Sequence, residues 1–163
     1  MLAHHRRPIC LSLISTDLPI WYNFETAATL YQKDQERFHL LLSNPNLTPL
    51  ETPSLPTSQG SPQTTTQSTL LWLEISPYRV IMTMQGNSQI GYRHFWEEGV
   101  YGISRYWLHS QVVQENGAIR LRNFTRSLQL IGNSLPESLR LEYELWSDKV
   151  PLGNYVLNLD IHH

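Results

Sequence analysis

Residues 92–98, Tyr92-Arg93-His94-Phe95-Trp96-Glu97-Glu98, are the densest set of groups in this chain that could do chemistry. A histidine, two carboxylates, a guanidinium and three aromatic rings fall in one short run. A carboxylate pair does acid–base work when its two environments push the pKa values apart. Neighbouring residues of a strand point to opposite faces, so Glu97 and Glu98 make a poor dyad in an extended run. Tyr92, His94, Trp96 and Glu98 then share one face, and Arg93, Phe95 and Glu97 the other. The run reads as a half-wet strand ending in an acidic turn at Gly99, and no catalytic residue is assigned.

Other reactive patterns are missing. There is no glycine loop for phosphate, no nucleophile elbow and no Cys-x-x-Cys pair. His94 and His109, the interior histidines of the C-terminal part, lack the spacing that a zinc site needs, so no metal is expected. Cys10 is the only cysteine, which rules out an internal disulfide and fits a reducing cytoplasm. Between Ile9 and Leu11 it reads as a small buried hydrophobe.

The arginines and aromatics suit recognition better. Ten of the twelve basic residues are Arg, whose planar fork pairs with carboxylates and stacks on rings. Trp107 and Trp146 fall on the more polar registers of their strands. Arg120 and Arg122 share a face, and Arg140 could stand opposite them beside Glu142. These five residues, Trp107, Arg120, Arg122, Arg140 and Trp146, form a candidate partner surface. Tyr78, Arg79, Tyr92, Arg93, His94 and Trp96 form a candidate ligand-binding set at the mouth of a small barrel.

The elements that position these groups follow from period-two alternation. Leu139, Leu141, Tyr143 and Leu145 alternate with Arg140, Glu142, Glu144 and Trp146, which buries one strand face and wets the other. The same rhythm predicts strands over 70–75, 78–85, 90–97, 100–113, 118–124, 126–131, 137–146 and 154–162. Gly86-Asn87, Glu115-Asn116-Gly117 and Gly132-Asn133 mark turns. Residues 8–14 read as a further short strand. Phe24, Ala28, Tyr31, Phe38, Leu41 and Leu42 fall near one helical face, with Gln32 to Glu36 covering the other. The expectation is an N-terminal amphipathic helix of about 18 residues, capped by Asn23 and stopped by Asn44-Pro45.

Composition divides the chain into residues 1–43 (mixed), 44–68 (rich in Pro, Ser, Thr and Gln, expected to be disordered) and 69–163 (strand-like). The whole is expected to be one domain of 163 residues, mainly β with one helix (α+β). Its core would be an antiparallel meander of about eight strands, closed as a small calycin-like barrel or left as a strongly curved sheet. A net charge of −2 argues against general affinity for nucleic acid or anionic lipid. No apolar window approaches the ~18 residues of a membrane span. The apolar run after Pro8 is broken by Ser12, Ser15, Thr16 and Asp17, unlike a signal peptide. A cytoplasmic location is expected.

A helix with such a meander is similar to calycin-type barrels, which include the lyases that attach bilins to phycobiliproteins. Ser76-Pro77-Tyr78-Arg79, at the start of a strand, resembles a Pro-Tyr-Arg element of one branch of those lyases. The resemblance implies a tetrapyrrole-like ligand, and no site residue is carried over from it. Two functional expectations result. The first is a non-enzymatic cytosolic binding or assembly protein with a protein partner, needing no cofactor. The second is a small-barrel carrier, or chromophore-lyase-like protein, for a hydrophobic acid-bearing ligand such as a bilin.

Overall fold

Inward-facing leucines at every second position close this chain into an antiparallel barrel. The computed structural model describes residues 4–44, 69–85, 90–108 and 118–163. Their strands are β1 (His4–Ser15), β2 (Trp21–Gln32), β3 (Phe38–Asn44), β4 (Thr69–Ile75), β5 (Arg79–Gln85), β6 (Ile90–Glu97), β7 (Tyr101–Leu108), β8 (Ala118–Ile131), β9 (Ser138–Ser147) and β10 (Val150–Ile161). Each strand pairs antiparallel with the next, and β10 pairs with β1, so the ten strands form a closed barrel. Closure removes the sheet edges that a meander would otherwise expose.

The core lies inside. Leu30, Leu40, Leu42, Leu73, Leu141 and Leu159 are fully buried there. Arginines and glutamates such as Arg93, Arg105, Arg140 and Glu142 take the outward register between inward-facing residues. That is the reverse of a membrane-spanning barrel, whose apolar band faces out. Among the described residues no helix is long and apolar enough to cross a membrane.

The expected N-terminal helix is absent, and its span forms β2 and β3 instead. The spacing of Phe38, Leu40 and Leu42 satisfies a strand, and all three are buried. Residues 33–36, read as part of a helix's wet side, form the β2–β3 turn together with Arg37. Lys33 N–H donates to Arg37 O (2.9 Å), and the Asp34 carboxylate accepts from the Glu36 and Arg37 N–H groups, both at 2.9 Å. A run of consecutive polar residues fits such a turn better than a helix, where apolar positions must recur every third or fourth residue. Asn23 is therefore a strand residue, paired with Ser12.

The expected count of about eight strands also needs correction. Residues 118–131 are one strand rather than two, because a β-bulge between Thr125 and Ser127 shifts the register. Asn123 and Thr125 are buried before the bulge and Leu128 after it, so the apolar phase flips without a chain break. The expectation for 44–68 falls outside the described residues from position 45 onward. Gly86-Asn87, His109 and Glu115-Asn116-Gly117 also lie outside them.

Candidate functional site

The barrel interior has two unlike walls. β1 to β5 contribute aliphatic residues and Phe38 to the buried core, whereas β6, β7 and β8 turn Tyr92, His94, Trp96, Ser104, Tyr106, Asn123 and Thr125 inward. Strand register builds that second wall, since His94 pairs with Ser104 and Gly102 with Asn123. Gly102 has a specific reason to be glycine. A Cβ there would lie 2.1 Å from Phe95 O and 2.9 Å from Asn123 Oδ1. Without it, Asn123 Nδ2 reaches across β7 and donates to Phe95 O at 3.1 Å.

Asn123 Nδ2 also donates to Ser104 Oγ at 2.8 Å, and Ser104 Oγ lies 2.7 Å from His94 Nδ1. The Ser104 hydroxyl accepts from Asn123 and so has its proton free for His94 Nδ1. In that tautomer the His94 proton is on Nε2, which faces the Tyr106 hydroxyl at 3.3 Å. Trp96 stacks on His94, with centroids 4.7 Å apart and planes within 5°. Tyr143 packs on Trp96 at 5.0 Å and Tyr155 on Tyr143 at 5.4 Å. Burial holds the His94 pKa down to about 3, so the imidazole is neutral at pH 7. Burial pushes the Tyr106 phenol up to about 12 and raises the phenols of Tyr92 and Tyr143 as well. A cluster of this kind fixes ring orientation and offers neutral hydrogen-bonding groups. It offers no charge.

The six residues proposed for a ligand mouth separate in the structure. Tyr92, His94 and Trp96 gather inside. Arg93 is exposed on the outer face. Tyr78, 65% exposed, sits in the β4–β5 turn, and Arg79 lies at the far end of the β5–β6 pair, opposite Glu97, with its guanidinium over the Phe95 ring at 5.5 Å.

The five proposed partner-surface residues all face outward on β7 to β9, and four of them lie toward one end of that face. Trp107 lies across Gly91, where a Cβ would meet its Nε1 at 2.3 Å. Arg122 stands opposite Trp146 and stacks over Tyr101 at 5.2 Å. Trp146 Nε1 donates to Glu144 Oε2 at 3.1 Å. Arg120 is exposed two positions before Arg122 on β8. Arg140 is apart from them: it pairs in register with Gln129 and Asn158 and binds Glu142 at 3.0 Å.

The sequence reading missed the register that aligns three arginines. Arg93 on β6 is opposite Arg105 on β7, which is opposite Arg120 on β8. All three are exposed, and among the described residues none forms an ion pair. Exposed Tyr101 and Ile103 flank the row, and Arg93, Phe95, Ile103 and Arg105 line a shallow groove of about 380 Å³.

Cys10 is half-buried, with Sγ 3.3 Å from Asn23 Oδ1, and desolvation followed by Glu25 and Asp160 pushes its thiol pKa up. A raised pKa makes it a weaker nucleophile. Among the described residues no group of three or more His, Cys, Asp or Glu is placed to hold a metal ion.

No family model matches the chain, and neither does any curated protein. In fold the chain is similar to the crystal structure of the ywiB protein from Bacillus subtilis, with a TM-score of 0.55 and 15% sequence identity. The match covers 97% of this chain and 94% of that one. At such identity the likeness concerns the fold alone.

Proposed function

We propose that this protein acts by binding, as a non-enzymatic cytosolic assembly or adaptor protein that engages an acidic protein partner through the outer face of β6 to β8. The observation that carries this reading is the row Arg93–Arg105–Arg120, facing solvent with no ion pair among the described residues. Adjacent strands are about 4.8 Å apart, and like charges directly opposite one another are destabilising. A row that costs stability in the free protein gains an anionic partner's carboxylates as bidentate ligands. Trp107, Tyr101 and Ile103 supply apolar contact beside the charges, the mixture found at interface hot spots. The overall charge of −2 gives little long-range attraction for a polyanion, which favours a short acidic protein segment over extended nucleic acid.

Titration with a fluorescent peptide of alternating Glu and Phe tests the reading. Saturable binding that weakens as salt rises, and that Arg93→Ala and Arg120→Ala each weaken by about tenfold, is expected. Equal affinity of wild type and both variants would overturn it. A single-stranded oligonucleotide bound more tightly than the peptide would replace the acidic protein partner with a nucleic acid.

A further inference from the structure

A separate space lies inside the barrel, at the end where β1 passes into β2. It has a volume of about 200 Å³ and lies between Leu11 and Leu13 of β1, Tyr22 and Phe24 of β2, and Met84 and Tyr92 across β5 and β6. We propose that this cavity binds a small, uncharged, largely apolar molecule carrying one hydrogen-bonding group. The proposal stands on interior residues, independently of the arginine face.

Four observations converge. Among the described residues the lining carries no charged side chain, and its only polar side-chain groups are the phenols of Tyr22 and Tyr92. A predominantly apolar cavity favours apolar guests. The floor is built: Tyr92 packs on His94 at 5.2 Å, and Trp96, Leu73 and Leu159 fill the barrel beyond. Burial keeps the floor's imidazole neutral, and Ser104 and Tyr106 hold it in place, so it presents no cation to an acid. The β1–β2 connection at this end is apolar, with Leu18, Ile20 and Trp21 41%, 42% and 72% exposed among the described residues. Beside it β2 outruns β3, whose pairing stops at Ala28–Leu42. Among the described residues, Trp21 to Ala27 therefore pair only with β1.

Size and charge narrow the guest. Sites for drug-sized ligands run to about 300–1,000 Å³, so about 200 Å³ favours a molecule smaller than a tetrapyrrole. A carboxylate drawn inside would lose its hydration without a cation to replace it. The nearest charged side chain on the inward register of β1 is Arg7, four residues beyond Leu11 or about 13 Å along the strand.

The test uses the whole chain with N-phenylnaphthylamine, a neutral dye that brightens in apolar surroundings, and octanol or octanoate as competitors. Equimolar saturable dye binding is expected, with octanol displacing the dye about tenfold more effectively than octanoate. Met84→Trp should fill the space and abolish binding while the β-sheet circular dichroism stays unchanged. Absent saturation, equal displacement by octanoate, or dye binding retained in folded Met84→Trp would each overturn the proposal. Should Met84→Trp not fold, Tyr92→Phe decides. An affinity for octanol lowered about threefold or more supports the site, and an unchanged one overturns it.

Discussion

The two inner walls of the barrel follow the same every-second-residue rule and reach different physics. In β2 to β5 the inward register holds Leu30, Leu40, Leu73 and Val80, all fully buried, where stability grows with contact and area. In β6 to β8 it holds His94, Ser104 and Asn123, equally buried, where stability depends on each polar atom finding a partner. The first wall tolerates a change of shape better than a hole. The second tolerates little, and it already carries costs: Trp96 Nε1, Asn123 Oδ1 and Thr125 Oγ1 are buried with no hydrogen-bond partner among the described residues. Specificity of structure therefore concentrates in the polar wall, and bulk stability in the aliphatic one.

The largest expected effect comes from opening a hole in the aliphatic wall. Leu73→Ala should cost about 2–5 kcal/mol in urea unfolding, since the closed sheet around it leaves little room to collapse. A loss below about 1 kcal/mol would mean that the two walls are not distinct in the way described.

Acid should single out the polar wall. Unfolded His94 takes up a proton near the ordinary histidine value of 6.5, whereas the folded residue does so only near 3. Between those values the unfolded chain binds more protons, so stability falls as pH drops, by at most about 1.4 kcal/mol per unit. Asp17 and Asp34 have lowered pKa values and add their own losses as pH falls through their folded values. The two origins separate in His94→Gln, in which the loss between about pH 6.5 and pH 4 should largely vanish. Parallel pH profiles for wild type and variant would place the acid sensitivity elsewhere.

The hydrogen-bond chain should show coupling that the aliphatic wall lacks. Asn123→Ala removes the donor to both Ser104 and Phe95 O, with an expected cost of about 1–3 kcal/mol. Combined with Ser104→Ala the losses should fall short of additive by about 0.5 kcal/mol or more, because the two side chains share one bond. Strict additivity in that double-mutant cycle would break the reading of the network as one unit.

The same contrast explains what was readable beforehand. In β9, Leu139, Leu141, Tyr143 and Leu145 alternate with polar residues, and burial follows that alternation residue by residue. β7 inverts the usual hydropathy, since Gly102, Ser104 and Tyr106 point in while Ile103 and Trp107 point out. Gly102 and Ser104 sharing one register are the signal in the sequence for this inversion. In β3, Phe38, Leu40, Leu41 and Leu42 satisfy helical and extended spacing alike, so periodicity could not choose between them. Two faces of the candidate site were thus hidden for different reasons. The His94 network depends on polar residues that look wet, and the arginine row depends on strand register, which hairpin spacing alone does not fix.

The smallest effect is the sharpest test of the outer face. Arg105 stands between Arg93 and Arg120, so reversing its charge replaces two repulsive cross-strand neighbours with two attractive ones. Arg105→Glu should raise stability by about 0.2–1 kcal/mol per pair, an unusual gain for a charge reversal at an exposed position. High salt should shrink the gain, because the charges lie in solvent within a Debye length of one another. If the outer face exists to meet an acidic partner, the same substitution must weaken peptide binding as it strengthens the fold. Opposite signs from one residue tie the row to recognition. A loss of stability instead would show that the three guanidinium groups are already compensated, and the argument from their uncompensated charge would fail.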